Sequence, residues 1–524
     1  MSFDHYNYLA ALEKKRLHCV IIFMSVFCLI FDNIPRILQL TTISNGLSTK
    51  LTWYFLFTLM LLYLYKFKRD HIIAERDEFR TFYCYVSFLM ITLLLSNVCG
   101  LISYPYYEEL LSGPSKQIEK LPMVLSFLNS YGIPIDQKQL TMIWISVRSI
   151  KGVILGTLYT LGFSFILYRF FKKDVDFYYG LISKAVLASI IVLCLYSSVE
   201  ILYLAGSGIA QHILTVINPM IHPIAVDHGW WPPLLWNGQL RSMFSEPSRM
   251  GNYLAFAMPF LWGKYLLSET RKTGLLLLIL FYTFMIFLTK ARTAVAMYWG
   301  ILFLLFIGVL YIHEKQLIKK FLCICGVTIV ALALSLAFIN FGMHKGESKD
   351  KITISSYMED NVASLGSSNK RSNGARYALI RANMVTGIEH PIIGVGNVLG
   401  SAYTVHNFNE SDLANREVRM WVTNYSKQGP LRYGLDAMNE YVSRFAANGI
   451  IGLIAFVFPF LFAVFKLIQK LRATTGNVQL KILLTLISLI GSAVAGCNGS
   501  LTILYSYWII LAYAYSILYG TKLR

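Results

Sequence analysis

Three arginines stand where this chain changes from apolar to polar and two more lie in a long polar interval, and arginine is the side chain best matched to phosphate. Arg241 and Arg249 bracket Phe244-Ser-Glu-Pro247 just before an apolar run, with Glu246 between them. Lys290-Ala-Arg292 closes one apolar run and opens the next. Arg376 and Arg381 fall in a long polar interval, about 343–441, in a chain otherwise made mostly of apolar runs. A guanidinium meets phosphate oxygens two at a time and keeps its charge at any physiological pH. Several of them converging on one face would cradle a pyrophosphate. The plainer alternative is that Arg292 reaches up to lipid phosphates and Arg249 pairs with Glu246. A second polar group, Ala437-Met-Asn-Glu-Tyr441, leads through Asn448-Gly-Ile-Ile-Gly452 into another apolar run. Any chemistry is expected where the 343–441 interval folds back over the membrane.

The elements that must position these residues are membrane helices. The chain has 524 residues, 56% hydrophobic and only 14% charged, with mean hydropathy +0.54. Soluble domains carry about a quarter charged residues. Twelve runs approach the roughly 20 apolar residues that a spanning helix needs: 17–40, 51–67, 81–103, 150–171, 179–204, 248–267, 274–289, 294–312, 321–341, 443–466, 481–496 and 499–519. With the N-terminus inside, seven short basic segments fall on one side: Lys14-Lys-Arg16, Lys66 to Arg80, Arg169 to Lys173, Lys264 to Lys272, Lys315 to Lys320, Lys466 to Lys481 and Lys522-Leu-Arg524. That is the pattern of cytoplasmic loops. The net charge of +19 is then a charge of membrane topology, attracted to an anionic leaflet, and nucleic acid is not an expected partner. The eight cysteines lie in or beside apolar runs and none falls in 343–441, so no disulfide framework is expected there. The first run lacks a small-residue cleavage site and reads as an anchor.

The expected organisation is therefore all-α: nine spans in 1–342, a large outer loop at 343–441, and three spans in 442–524. Two other outer segments are sizeable. The first, about 104–149, reads as a capping loop with an amphipathic helix. The second, about 205–247, carries Trp230-Trp-Pro-Pro233 and Trp236, read as interface anchors or a sugar-stacking surface. Within the third, Lys345 to Gly374 reads as mobile. From Ala375 to Glu389 the pattern is helical, with Tyr377, Ile380, Met384, Ile388 and Arg381 on one face and Arg376 on its flank. That helix should stop at His390-Pro391 and a Gly394-Val-Gly396 turn. Asp174-Val-Asp176 has the spacing of a metal–nucleotide site but lies in a short inner loop. The Gly394-Val-Gly396 turn has neither the strand nor the third glycine of a nucleotide loop.

Four stretches, together spanning roughly 241–466, resemble the bacterial O-antigen polymerase and ligase superfamily, which handles undecaprenyl-diphosphate-linked glycans. They are Phe244-Ser-Glu-Pro-Ser-Arg-Met-Gly-Asn-Tyr-Leu254, Leu288-Thr-Lys-Ala-Arg-Thr-Ala294, Gly374-Ala-Arg376 with His390-Pro-Ile-Ile-Gly-Val-Gly396, and Asn439 followed by Gly449-Ile-Ile-Gly452. In the second, Ala291 stands where the family usually has Ser. In the last, Met438 stands where the ligases have the His proposed as base, which favours the polymerase reading. The bases left nearby are Glu440, Asp436 and His406, although Glu440 is also placed to pair with Arg444 one turn on. Leaving-group stabilisation without a strong base is the other possibility.

The resemblance implies a lipid-linked glycosyltransferase membrane fold in the bacterial plasma membrane, with its site on the outer side and no cofactor or metal. It implies polymerisation of lipid-linked oligosaccharide repeat units. Arg292, Arg376 and Arg249 would hold the diphosphate, with Arg381 and Arg241 as second choices and Glu246 beside them. Asn439 and Glu440 would sit near the acceptor hydroxyl, and Gly449 and Gly452 would let the returning helix pack closely. Expected partners are undecaprenyl-diphosphate-linked oligosaccharides and the bilayer, with a chain-length regulator and a flippase as further candidates. The rivals are a ligase of the same superfamily and a lipid-linked-sugar flippase. A flippase more often shows two related halves, and no such repeat is visible.

Overall fold

Inside a bilayer, backbone N–H and C=O groups find no water, so the chain must satisfy them within each segment. Helices answer that demand here. The computed structural model describes residues 17–44, 46–70, 76–112, 121–221, 238–270, 272–343, 352–361, 371–431, 433–435, 437–521 and 523, and among them there is no strand. Each of the twelve apolar runs holds a helix. In chain order these are α1 (Leu17–Ile30), α2 (Leu51–Asp70), α3 (Arg76–Ser103), α4 (Gln137–Phe171), α5 (Val175–Leu204) and α6 (Pro247–Leu266). After them come α7 (Thr273–Leu288), α8 (Arg292–Ile312) and α9 (Lys315–Gly342). Beyond the polar interval lie α13 (Glu440–Arg472), α14 (Gly476–Val494) and α15 (Tyr505–Tyr519). Seven helices (α3, α4, α5, α8, α9, α13 and α14, the last counted on to Asn498) are long and apolar enough to cross a membrane; the other five do not reach that mark. The chain is a multi-pass membrane protein.

Two runs are shorter than expected. α1 stops at Ile30 rather than near 40, and Pro35, which disfavours helical geometry at Ile34, keeps it from continuing through the rest of the run. The last run becomes helical only at Tyr505. Its first residues, 499–504, form an irregular segment held by side chains of neighbouring helices. α4 begins at Gln137, well before the apolar run, because Asp136 and Gln139 form a reciprocal capping box.

α6 is the central helix, buried almost all round and packed on α5, α7, α8 and α14, as expected of a helix that is apolar on every face. α6 and α8 run together from the same end. At Gly251 a side-chain carbon would lie 2.6 Å from Ala294 Cα, so only the missing Cβ lets the two backbones approach. That approach brings the start of α6, with Glu246 and Arg249, against the start of α8, with Arg292.

The polar interval is more helical than the sequence reading allows. Besides the expected helix, here α10 (Arg371–Glu389), it contains α11 (Gly396–His406), α12 (Arg416–Gln428) and the short helices Ile354–Asn361 and Glu410–Leu413. Ile354–Asn361 falls in the part expected to be mobile, yet its Tyr357 hydroxyl donates to Phe287 O at 2.6 Å and ties it to the end of α7. The helix face is also corrected. Tyr377, Met384 and Ile388 are exposed and Ile380 half-buried, while Ala375, Ala378, Leu379, Ala382 and Thr386 are buried. Small residues line the buried face: Ala375 and Ala378 pack with Val418, Phe408, Leu413 and Trp421 inside the lid, and α10 also lies against α13. The lid as a whole docks on the ends of α3, α4 and α13 through Leu101, Tyr104, Tyr107, Val395, Leu399 and Tyr403.

Basic loops gather at the end opposite the lid. Glu78 accepts from Tyr168, Arg169 and Lys172 at 2.7–2.9 Å, Lys481 pairs with Asp176, and Lys320 caps Leu266 O at 2.8 Å. Asp176 is thus an ion-pair partner. Lys14-Lys-Arg16, Trp230, Trp236, Lys522 and Arg524 lie outside the described residues.

Candidate functional site

The lid and the bundle are locked by the two glycine-bearing turns seen in the sequence. α13 kinks at Gly449, where φ is +61°, and a Cβ there would stand 2.3 Å from Ile392 C and O. Any other residue would be strained in backbone and in space. Across this kink Ile450 N donates to Pro391 O at 2.8 Å, and Val395 N donates to Ala446 O at 3.2 Å. The stretch His390 to Gly396 is therefore threaded between α13 and the end of α3, where Val398 N donates to Asn97 Oδ1 at 3.3 Å. Gly452 packs towards α3, with a Cβ position 3.7 Å from Thr92. This lock fixes α10, and with it Arg376, over the mouth of the bundle.

Arg376 and Arg292 meet there. Arg376 Nη1 donates to Asn498 Oδ1, just before the irregular 499–504 segment. Arg292, the first residue of α8, donates from Nη1 to Asn373 Oδ1 on α10 at 2.7 Å. Burial pushes the Arg376 pKa down, Glu246 pushes it back up, Arg292 pushes it down again, and Glu417 raises it. Two guanidiniums and the Glu246 carboxylate thus share one electrostatic neighbourhood. Neighbouring Lys290, left-handed at φ +48°, also has its pKa lowered by burial. Glu246 sits at the N-cap position of α6 and accepts from Ser248 Oγ at 3.2 Å.

Arg249 is beside this cluster but does not pair with Glu246. Its Nε lies 3.4 Å from Asp32 Oδ2, which also accepts from Ser245 Oγ at 2.7 Å, while Asp32 Oδ1 holds Lys50. Asp32 follows α1, brought in from the far end of the sequence. Arg241 is elsewhere and 1% exposed. Its backbone N–H and that of Ser242 donate to Glu200 Oε2 at 3.3 and 2.6 Å. Burial lowers the Arg241 pKa, and Glu200 and Tyr196 oppose it. Arg381 stays inside the lid, donating to Asn407 O at 2.8 Å and pairing with Asp412. His406 stacks on Tyr106 and meets Glu109 Oε2 at 3.1 Å, joining lid to the 104–112 segment. Of the five arginines, then, Arg292 and Arg376 are within electrostatic reach of each other, Arg292 being bonded to Asn373 on Arg376's own helix, while Arg249 pairs with Asp32 and Arg241 and Arg381 are anchored separately.

Asn439 and Glu440 have well-defined partners. Asn439 caps α13, its Oδ1 accepting from Tyr441 N and Val442 N at 3.0 and 3.2 Å. Glu440, 3% exposed, accepts from Arg444 Nε at 2.7 Å on one oxygen and from Leu501 N at 3.1 Å on the other. Arg444 continues to Thr502 Oγ1 at 3.0 Å and lies over the Phe456 ring. Glu440 thereby holds the 499–504 segment against α13, and it also faces a cavity. Asp436 lies outside the described residues.

Residues 275–457 match the family model described as O-antigen ligase. The match supports a likeness of this part of the chain to the O-antigen polymerase and ligase superfamily. The matched span runs from α7 through the lid to the middle of α13, so it contains Arg292, Arg376, the Asn439–Glu440 pair and the Gly449 kink. Arg241, Glu246 and Arg249 lie before it. A comparison with curated proteins gives no match. The match supports a glycosyltransferase-like enzyme of the O-antigen ligase or polymerase type.

Sequence reasoning missed Asp32, Lys50, Asn373, Asn498 and Glu200. For Asp32 and Glu200 a signal existed: an acid within an apolar run is costly in a membrane and requires a partner. The two asparagines gave none, being single amides in unremarkable surroundings.

Proposed function

We propose that this chain polymerises lipid-diphosphate-linked oligosaccharide repeat units at the outer face of a bacterial plasma membrane, without metal or nucleotide. The observation that carries the reading is the meeting of Arg292, from the bundle, with Arg376, from the lid. Two like charges held together in a partly buried place repel each other, and an anionic diphosphate between them would relieve that repulsion. In the reaction the bond between the anomeric carbon of the growing glycan and its phosphate oxygen breaks. A hydroxyl oxygen of the incoming lipid-linked unit forms the new bond to that carbon, and its proton leaves to water or a nearby acceptor. Negative charge grows on the departing diphosphate, so guanidiniums fixed beforehand stabilise the transition state more than the ground state. Asn373 and Asn498 would hold them in place, and Glu246 would limit their mutual repulsion. Glu440, with both oxygens occupied, would chiefly position the 499–504 segment.

The ligase reading is the second one, favoured by the description of the matching family; Met438, where ligases carry histidine, weighs against it. A purified-protein assay separates the readings. Lipid-diphosphate-linked units in detergent with EDTA should give a ladder of lengthening products. A single transfer, and only when a different acceptor is added, would make the protein a ligase. Movement of the intact unit across liposomes without product would make it a transporter.

A further inference from the structure

Asp32 is the point where the start of the chain reaches α6 and its arginine. It follows α1 in the segment 31–50, whose two ends are joined by Ile34 N donating to Thr49 O at 3.0 Å. That pairing brings Lys50 to Asp32. One carboxylate oxygen holds Lys50, and the other accepts from Ser245 Oγ at 2.7 Å and lies 3.4 Å from Arg249 Nε. The Asp32 and Lys50 side chains are 10% and 12% exposed, whereas that of Arg249 is 37% exposed. Lys50 is therefore the inner prop of the carboxylate and Arg249 its outward arm. A charge-assisted N–H···O bond measures about 2.7–2.9 Å, so Asp32 orients Arg249 without holding it fast. Burial lowers the Lys50 pKa and the Arg249 charge lowers it further, so the two cations sense each other across the carboxylate. Arg249 and Arg292 each stand two residues before the Gly251–Ala294 contact of α6 with α8, which puts them at one level of the bundle. Ser245, tied to Asp32, precedes Glu246, whose charge acts on Arg376.

We propose that Asp32 is a positioning residue of the diphosphate site: it aims Arg249 at the ligand that Arg292 and Arg376 hold, while Lys50 keeps the carboxylate in place. The inference rests on the reading of those two arginines as the diphosphate site. Arginine serves phosphate well when its planar fork is already presented to the oxygens. Ordering so long a side chain at the moment of binding would cost affinity. Asp32 does the ordering in advance through Nε and leaves the Nη atoms for phosphate. A carboxylate beside an anion site would otherwise oppose binding, since like charges repel. Lys50 offsets that charge: Asp32 and Lys50 together are neutral, and the Arg249 charge remains. Three roles for Asp32 then differ in what its loss does. Were it only a nearby negative charge, its removal would tighten the binding of an anion. Were it only a staple between segment 31–50 and α6, its removal would act equally whether or not Arg249 is present. As a positioning residue, its removal weakens binding, and does so through Arg249.

Native mass spectrometry of the full-length protein in detergent, titrated with sugar-free polyprenyl diphosphate, tests this on four variants: Asp32→Asn, Asp32→Asn/Lys50→Gln, Arg249→Gln and the triple variant. The Asp32/Lys50 double variant leaves the net charge unchanged and strands no buried cation, so it decides the matter if Asp32→Asn alone does not fold. Losing one charge-assisted contact should weaken binding about tenfold, in Asp32→Asn, in the double variant and in Arg249→Gln alike. The triple variant should bind within about twofold of Arg249→Gln, because Asp32 and Lys50 then have nothing left to aim. Unchanged or tighter binding in folded Asp32 variants overturns the proposal. So does a loss from wild type to double variant that recurs in full from Arg249→Gln to the triple variant, and so does wild-type binding by Arg249→Gln. Excess phosphatidylglycerol should leave the probe bound; equal displacement by it would mark a seat for ordinary bilayer headgroups and overturn the proposal too. The predicted pattern of binding with no polymer formed would leave the role of Asp32 standing and refute the polymerase reading instead.

Discussion

Glu440 is the residue for which position and chemistry are most readily confused, and a double-mutant cycle with Arg444 separates them. Glu440 is 3% exposed and the Arg444 side chain 17% exposed, with 2.7 Å between Oε1 and Nε. Glu440→Leu removes the carboxylate and leaves a guanidinium largely buried. Breaking such a pair on one side costs about 3–5 kcal/mol. Arg444 keeps Thr502 Oγ1 at 3.0 Å and the Phe456 ring at 4.6 Å, so the lower end, about 3 kcal/mol, is expected. Replacing both, as Glu440→Leu/Arg444→Met, strands no charge. The remaining losses are the hydrogen bonds from Leu501 N to Glu440 and from Arg444 to Thr502, together about 2 kcal/mol. The double variant should thus lose less stability than Glu440→Leu and Arg444→Met added together, a coupling well above the few tenths of a kcal/mol found between independent sites. Denaturant unfolding of the detergent-solubilised protein measures the stabilities, and product ladders measure activity. If Glu440 positions the 499–504 segment, activity should recover with stability in the double variant, to within about tenfold of wild type. A double variant that is stable yet inactive by a factor of 100 or more would make Glu440 the base and refute this reasoning.

Other expectations follow from the same contacts. Gly449→Ala should destabilise by more than about 1 kcal/mol, since a left-handed backbone and Ile392 both oppose a Cβ; limited proteolysis of the lid would show the lock loosened. Arg381→Ala should free the Asp412 and Asn407 contacts and raise proteolysis between 406 and 416 while changing donor KM less than threefold, because Arg381 lies within the lid. Asn498→Ala, which removes the acceptor for Arg376, should lower kcat about tenfold, less than loss of the arginine itself.

The membrane helices were legible because hydropathy over some twenty residues is a strong, local signal. The lid was less so. The buried face of α10 is built of Ala375, Ala378 and Ala382, which hydrophobic periodicity undervalues, whereas the more apolar Tyr377, Met384 and Ile388 are exposed. The Gly394 and Gly449 turns were recognisable as turns, but their mutual threading is a tertiary fact no spacing encodes. For the arginines, sequence could place five cations on one expected side of the membrane without saying which would converge. What sorted them was the partner each found: Glu200 for Arg241, Asp412 for Arg381 and Asp32 for Arg249, in each case a carboxylate distant in sequence. The close approach of α6 to α8 at Gly251 and the lock at Gly449 then decided that Arg292 and Arg376 meet.

The most direct test of the central claim is the polymerisation assay on purified wild type, Arg292→Gln and Arg376→Gln, with lipid-diphosphate-linked units and EDTA. Removing one fixed donor to a developing anion typically costs about 10²–10³ in rate. Each variant should therefore lose the product ladder by that factor while keeping its gel-filtration profile. A wild-type ladder that both variants retain at near-normal rate would contradict the account, since the diphosphate would then be held elsewhere.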